Sequence, residues 1–166
     1  MVSVFDTRPC SLGEGPLWHP LRGELFWFDI NAHQLLSKTD MWQFDEFVSA
    51  AGWISRDELL IASESQLFRF QLGDHSQSKI CDLEADNPVT RSNDGRCDPQ
   101  GGFWIGTMGK KAEAKAGAIY RYYRGDLVQL FAEITIPNAI CFAPDGQTAY
   151  FTDTPPRQIL AVDLDA

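Results

Sequence analysis

The sequence predicts an all-β fold: a β-propeller of four-stranded blades, incomplete, with about four blades present. Three observations predict it. A strand-turn-strand pattern occurs four times, the copies recur at a blade-like interval, and helical patterns are almost absent. Aligned on the second strand of each copy, at Leu25, Leu59, Phe103 and Ala149, the steps are 34, 44 and 46 residues. One blade of four short strands takes about 40 to 45 residues. We therefore expect residues 1–166 to form one partial propeller domain.

Each copy of the pattern starts with an apolar strand, turns at Pro, Asp or Gly, and continues as a strand rich in aromatic or aliphatic residues. The copies are residues 15–29, 52–62, 91–108 and 138–153. A further β-rich segment follows each copy and predicts the outer part of the blade, at 34–37, 66–70, 118–122 and 158–163. Residues 112–116 have a helical composition, but the flanking Gly109 and Gly117 favour a surface loop.

The number of repeats has a consequence for assembly. A blade buries its faces only against its neighbours, so three blades and most of a fourth leave one apolar face and one sheet edge uncovered. We expect either a fragment or a chain that pairs with a second copy or with a missing C-terminal half.

Composition limits the classes of function. With 44% hydrophobic and 22% charged residues, the chain is typical of soluble globular proteins. The net charge of -9 argues against a nucleic-acid partner, because such binding needs Lys and Arg to neutralise phosphates. No segment approaches the roughly 20 apolar residues of a membrane span, and a secretory leader is absent, so we expect a cytoplasmic protein without a membrane partner. The four cysteines occur singly and predict buried free thiols.

Glu14 and Asn138 are candidate metal ligands. Glu14 precedes the first inner strand, and Asn138 occupies the corresponding position of the fourth repeat. Inner strands converge on the central channel of a propeller, so a carboxylate and an amide at two strand starts can meet at one cation. Oxygen ligands suit calcium, magnesium or manganese and do not exclude zinc. The alternatives are a solvated turn glutamate and a turn asparagine bonded to its own backbone.

Arg91 and Asn93 are candidate substrate contacts. They flank Ser92 in extended phase, so both side chains are expected on one side of the chain. A guanidinium and an amide on one side can clamp hydroxyls or a carbonyl. The alternative is a surface salt bridge beside a turn asparagine, and Asp94-Gly95 itself is interpreted as a turn. A Gly-x-Ser-x-Gly elbow is missing, which disfavours a serine hydrolase.

These motifs resemble those of the gluconolactonase and regucalcin family, also called the senescence marker protein family. They are Ser-Leu-Gly-Glu-Gly-Pro-Leu-Trp at 11–18, Arg-Ser-Asn-Asp-Gly at 91–95 with Gly-Thr-Met at 106–108, and Ile-Pro-Asn-Ala-Ile at 136–140. The resemblance extends over the whole chain, covers about the first two-thirds of a family member, and implies a six-bladed propeller with one divalent metal in its channel. It makes Glu14 and Asn138 metal ligands and Arg91 and Asn93 contacts to a sugar lactone.

The resemblance also implies a chemistry, lactone ring opening, in which the metal polarises the carbonyl and an acidic base removes a proton from water. The family's base, an Asp of a later blade that is also a metal ligand, has no counterpart here, so no catalytic residue is assigned. A further acidic substrate contact of some members falls at Lys110 or Lys111. The implied function is a divalent-metal-dependent sugar lactone hydrolase using Ca, Zn, Mn or Mg, with this chain weakly active or inactive alone. The alternative is a non-catalytic calcium- or ligand-binding propeller fragment or scaffold.

Overall fold

The computed structural model describes residues 1–164, which form fifteen β-strands in four antiparallel sheets. Blade 1 comprises β1 (Gly13–His19), β2 (Glu24–Asp29), β3 (Gln34–Ser37) and β4 (Met41–Gln43). Blade 2 comprises β5 (Val48–Trp53), β6 (Glu58–Ser63), β7 (Gln66–Gln71) and β8 (Gln77–Asp82). Blade 3 comprises β9 (Thr90–Cys97), β10 (Phe103–Gly109), β11 (Gly117–Tyr123) and β12 (Asp126–Ile134). Blade 4 comprises β13 (Pro137–Phe142), β14 (Thr148–Asp153) and β15 (Gln158–Asp163).

Each sheet is a meander in which neighbouring strands follow one another in the chain. This confirms the predicted all-β propeller arrangement. The second strands β2, β6, β10 and β14 start at or within one residue of the positions used to align the repeats, and the four outer segments correspond to β3, β7, β11 and β15. Residues 112–116 form a loop, as expected.

Blades pack through the alternation of side chains along their strands. In β6, Leu59 and Ile61 belong to the apolar cluster shared with blade 1. Leu60 and Ala62, the alternate residues of the same strand, belong to the cluster shared with blade 3. Every interior blade therefore carries two apolar faces, and burial of each large side chain contributes on the order of 2 kcal/mol.

The last blade is different. β15 is the edge strand of blade 4 among the described residues, and Ile159 on it is 77% exposed. Leu160 beside it is 42% exposed, so the apolar side chains of this edge strand are only partly covered by residues 1–164.

Two local expectations were wrong. Asp94 and Gly95 lie within β9 and not in a turn, because pairing with β10 resumes on both sides of a register shift between Ser92 and Gly95. The cysteines are free, but Cys97 and Cys141 are exposed and Cys10 and Cys81 are only half-buried. Within residues 1–164 no helix is long and apolar enough to cross a bilayer.

Candidate functional site at the channel mouth

The first strand of each blade, β1, β5, β9 or β13, is its inner strand, and these four strands pack side by side. We call the end of the channel at which they begin the channel mouth. A series of close contacts between blades runs across the starts of these strands. Gly15 of β1 lies against the carbonyl oxygen of Ser49, whose hydroxyl is 2.7 Å from the hydroxyl of Ser92 in β9. Asn93, next to Ser92, donates a hydrogen bond to the carbonyl of Pro137 in β13 at 2.8 Å. This series of contacts therefore connects Gly15 to Pro137, which are 122 positions apart in the chain.

Arg91 and Asn93 lie on one side of β9, as the extended phase predicted. Nη1 of Arg91 donates to Oδ1 of Asn93 at 2.9 Å and to the carbonyl of Ser92 at 2.8 Å. Both side chains are buried, with residue exposures of 7% and 6%. The surface salt bridge considered as the alternative is absent, since Arg91 has no carboxylate within ion-pair distance among residues 1–164.

Asn138 lies next to this pair. Its Oδ1 accepts a hydrogen bond from Nδ2 of Asn93 at 3.3 Å, and its own Nδ2 donates to Oγ1 of Thr154 at 3.0 Å. The amide is thus oriented from both ends. It is not the self-bonded turn asparagine that was the alternative, because its partners lie 45 and 16 residues away.

Glu14 contributes the negative charge of the mouth. Its carboxylate is half-buried and makes no hydrogen bond or ion pair with residues 1–164. The charge of Glu14 acts on Arg91 and Asp94 of β9. Burial lowers the pKa of Arg91 below its ordinary value, and the charge of Glu14 partly opposes this shift. Burial raises the pKa of Asp94, and the negative charge of Glu14 raises it further. The hydrogen bond from the N–H of Ile140 and the charge of Arg96 lower it but do not outweigh burial.

Two aspartates fix the segments that lead to Glu14 and Asn138. At the end of β2, the Asp29 carboxylate accepts the N–H groups of Ser11 at 2.7 Å and Leu12 at 3.0 Å. In blade 4, Asp153 does the same for Ile136 at 2.8 Å and Thr135 at 3.1 Å. Each carboxylate accepts hydrogen bonds from two successive backbone N–H groups. These bonds hold the segment before the inner strand in one conformation.

Four equivalent residues, one from each blade, lie at the mouth, and we call them the rim positions. In every blade, the residue after the second strand donates its N–H to the carbonyl of the residue before the inner strand, at 2.8 to 3.0 Å. The rim positions are Ile30, Glu64, Lys110 and Thr154. Their side chains start directly above the residues that open the inner strands. Ile30 is buried in the apolar core, whereas Glu64 and Lys110 are half-buried and Thr154 is exposed, so three of the four rim side chains are open to solvent.

The sequence reasoning missed the contribution of blade 2. Phe47 precedes β5, and its ring centroid lies 5.9 Å from Cζ of Arg91 and 5.9 Å from Nζ of Lys110. Lys110 pairs with Glu64 across the boundary between blades 2 and 3. Thr154 was missed as well, although the repeat phase that located Asn138 would have located all the rim positions.

The donors at the mouth fit a hard divalent cation only in part. A carboxylate oxygen from Glu14 and an amide oxygen from Asn138 are the ligand types that calcium, magnesium and manganese prefer. Such ions take more than two ligands, and within residues 1–164 no three His, Cys, Asp or Glu side chains are grouped closely enough to hold a metal. The metal and substrate roles of the four sequence-selected residues remain predictions.

Comparison with known proteins identifies the relatives of this arrangement. The sequence profile of the SMP-30/Gluconolactonase/LRE-like region matches residues 12–166. A protein of Rhizobium meliloti (strain 1021) named "Putative sugar lactone lactonase" is 42% identical over 160 residues, which are 93% of this chain and 54% of that protein. The L-arabinolactonase of Azospirillum brasilense is 32% identical over 96% of this chain and 56% of its own length.

The same relationship holds in three dimensions. The crystal structure of a calcium-binding protein, regucalcin, from Agrobacterium tumefaciens str. C58 superimposes with a TM-score of 0.94 at 42% identity. The superposition covers 96% of this chain and 56% of the regucalcin chain. The chain thus spans little more than half the length of its relatives, less than the two-thirds expected from the motifs.

Proposed function

Since the chain belongs to the SMP-30/gluconolactonase/LRE family, we propose that the complete protein is a divalent-metal-dependent sugar lactone hydrolase, and that this chain supplies its substrate clamp and two metal ligands. The observation that carries the proposal is the hydrogen-bonded series Arg91–Asn93–Asn138, together with the Glu14 carboxylate, which makes no hydrogen bond or ion pair within residues 1–164 and whose charge reaches Arg91. Sugar lactone hydrolysis is named for relatives that match nearly the whole chain.

Arg91 has the properties of a substrate clamp. Its Nη1 is already bound to Ser92 and Asn93, which leaves the rest of a rigid guanidinium fork to donate to a ligand. Because the group is buried, a hydrogen bond from it to a lactone oxygen is worth more than one in open water. Asn93 holds that fork in place and so orients the substrate.

Glu14 and Asn138 would hold the cation through oxygen atoms. A divalent cation bound there would polarise the lactone carbonyl and lower the pKa of a water molecule. Asp29 and Asp153 have the supporting role, since they fix the segments that carry the two ligands. The proton-accepting base and the remaining ligands are assigned to blades outside this chain, because its relatives are almost twice as long.

The first test uses the 166-residue chain alone. Calcium, zinc and manganese are titrated in turn by calorimetry while acid release from D-gluconolactone is followed with a pH indicator. We expect metal binding with little or no turnover. Metal-dependent lactone hydrolysis by the isolated chain would contradict the assignment of the base to absent blades, and absence of metal binding would contradict the role of Glu14.

A second test supplies the absent blades. The C-terminal part of the 42% identical Rhizobium relative is joined after blade 4. We expect this hybrid to hydrolyse lactones in a metal-dependent way, and the Arg91→Met form to show a raised KM. A folded, metal-loaded hybrid without lactonase activity would contradict the proposal.

The second candidate function is a non-catalytic calcium-binding propeller. It is favoured by the name of the solved structure reported above, a calcium-binding protein. Tight calcium binding by both the chain and the hybrid, with no turnover by either, would support it over the hydrolase.

A further inference from the structure

We propose that Lys110 is a specificity-determining residue that binds an anionic group on the substrate, so that the preferred lactone carries a carboxylate, sulfonate or phosphate beyond its ring. This inference rests on the proposed function, because it concerns the ligand of the same channel mouth. It is carried by the rim geometry and by the pairing of charges around Phe47.

The backbone places Lys110 beside the substrate clamp. In the register of β9 with β10, Met108 pairs with Arg91 and Gly109 pairs with Thr90. Lys110 comes next and is tied by its N–H to the carbonyl of Val89 at 2.9 Å. Its side chain therefore starts at the rim of blade 3, one strand away from Arg91.

The side chain is directed to Phe47, across the blade boundary. Nζ of Lys110 and Cζ of Arg91 are each 5.9 Å from the centroid of that ring. The ring is itself held by an edge contact with His33, at a centroid distance of 4.4 Å. Two cations from blade 3 therefore share one aromatic wall from blade 2, an arrangement that favours positive charge at that wall.

The charges on this side of the mouth do not balance. Lys110 pairs with Glu64 and donates to the carbonyl of Pro88 at 3.0 Å, which uses two of its three ammonium donors. Arg91 has no carboxylate at ion-pair distance among residues 1–164. Glu14, whose field reaches Arg91, is assigned to the cation. Of the two cations around Phe47, only Lys110 thus has a carboxylate at ion-pair distance within residues 1–164, in a chain whose net charge is -9.

A local positive site in an acidic protein has a physical use. The apolar walls around Lys110 and Arg91 have a low dielectric constant and concentrate the positive field of these two groups toward the channel. The field favours binding of an anionic ligand over a neutral one. Lys110 retains one donor and a flexible stem, and its side chain is 28% exposed, so it can reach a group that extends from the ring held by Arg91.

The competing explanation is that Lys110 and Glu64 only join blades 2 and 3. The two explanations differ for Glu64→Gln. If the ion pair only joins blades, Lys110→Gln and Glu64→Gln lower the stability to a similar extent and leave ligand preference unchanged. If Lys110 binds the substrate anion, Lys110→Gln removes the preference, whereas Glu64→Gln frees the ammonium group and increases it.

The experiment measures equilibrium binding of two lactones by calorimetry. D-galactonolactone and D-galactarolactone, both taken in the five-membered ring form, differ only in a hydroxymethyl group or a carboxylate at the end of the chain. We expect the 166-residue chain to bind the carboxylate form about tenfold more tightly, and Lys110→Gln to bind both forms equally. Lys79→Gln is the matched control, since Lys79 is an exposed lysine of the outer strand β8 that also pairs with a carboxylate, and it should retain the preference.

Glu64→Gln should widen the ratio of the two affinities, and added salt should narrow it. Equal binding of both lactones by the unsubstituted chain, or an unchanged ratio in Lys110→Gln, would overturn this inference and leave the hydrolase proposal standing. Binding of neither lactone would overturn the proposed substrate clamp and this inference with it.

Discussion

Asn93 and Asn138 are joined by a hydrogen bond of 3.3 Å from Nδ2 of the former to Oδ1 of the latter, across the boundary between blades 3 and 4. Because Thr154 accepts from the other end of Asn138, the amide cannot turn over without losing both contacts. The substrate clamp on blade 3 and the proposed metal ligand on blade 4 are therefore mechanically coupled. Glu14 of blade 1 has no hydrogen-bond partner among residues 1–164, so a substitution at Glu14 tests the cation site without breaking another contact.

We expect Glu14→Gln to weaken calcium and manganese binding at least about tenfold, because it removes the only charged ligand assigned to this chain. Calorimetric titration of the purified chain measures this. Asp126→Asn, an exposed carboxylate at the start of β12, is the matched control and should bind the ions as the unsubstituted chain does. Equal affinities in the chain and in Glu14→Gln would remove Glu14 from the cation site.

Gly15 sets how closely blade 1 approaches blade 2. Its φ is +57°, and a Cβ added there would lie 2.2 Å from the carbonyl oxygen of Ser49. Gly23 has a similar φ of +63° but open space around its Cβ position. We expect Gly23→Ala to cost about 1 kcal/mol of unfolding free energy from backbone strain alone. Gly15→Ala should cost roughly 3 kcal/mol or more, because the clash adds to that strain.

Urea unfolding of the two glycine variants measures the difference. Equal destabilisation would mean that strain alone acts at Gly15 and that blade 1 can move away from Ser49 at little cost. Because Glu14 precedes this glycine, such a movement would also displace the proposed metal ligand.

Much of this fold could be predicted from the sequence because the inner part of each blade has a regular pattern. Apolar strands separated by Pro, Asp or Gly turns located the first and second strands of all four blades, and the β-rich segments that follow located the third strands. The fourth strands were not located. β8, for example, has four exposed and two half-buried residues, because an outer strand faces water and needs no apolar alternation.

The residues of the site were predictable only where the pattern of a single strand or repeat indicated them. Arg91 and Asn93 share one strand, so their common side followed from the period of two. Glu64 and Lys110 lie 46 residues apart, and their pairing depends on how two blades pack. The spacing of a repeat shows which positions are equivalent, but not which of them meet across a boundary.

Asp98 links the turn after β9 to the outer strands of blade 3. Its side chain is 1% exposed, and it accepts from Nε of Arg121 at 2.5 Å, from the N–H of Gly102 at 2.7 Å and from Nε1 of Trp104 at 3.2 Å. Burial raises the pKa of Asp98, but these hydrogen bonds and the charge of Arg121 outweigh burial and lower it below its usual value.

A carboxyl whose pKa is lower in the folded state stabilises the fold above its unfolded pKa of about 3.9, and this contribution is lost as the pH falls through the folded value. We expect Asp98→Asn to lower the free energy of unfolding by about 2 kcal/mol near neutral pH. The difference from the unsubstituted chain should shrink on acidification below about pH 4. Thermal unfolding across that range measures it, and a difference independent of pH would contradict the ionic role of Asp98.

Glu84 joins the connection between blades 2 and 3 to three strands of blade 3. Its carboxylate accepts hydrogen bonds from the hydroxyls of Thr90 on β9, Thr107 on β10 and Tyr120 on β11. Thr90 immediately precedes Arg91, so this carboxylate also anchors the strand that carries the substrate clamp. Burial first, and then the hydrogen bond to Glu84 and its charge, raise the pKa of Tyr120 above its ordinary value.

A phenol with a raised folded pKa stays protonated where the unfolded chain ionises, so its contribution to stability is lost as the pH rises above about 10. In Glu84→Gln, one amide oxygen replaces two carboxylate oxygens. We expect a loss of roughly 2 kcal/mol at neutral pH and ionisation of Tyr120 at a lower pH than in the unsubstituted chain. Tyrosinate absorbance during alkaline titration measures this, with Tyr120→Phe identifying the signal. If Glu84→Gln left the titration of Tyr120 unchanged, the charge of Glu84 would not contribute to the raised pKa of Tyr120.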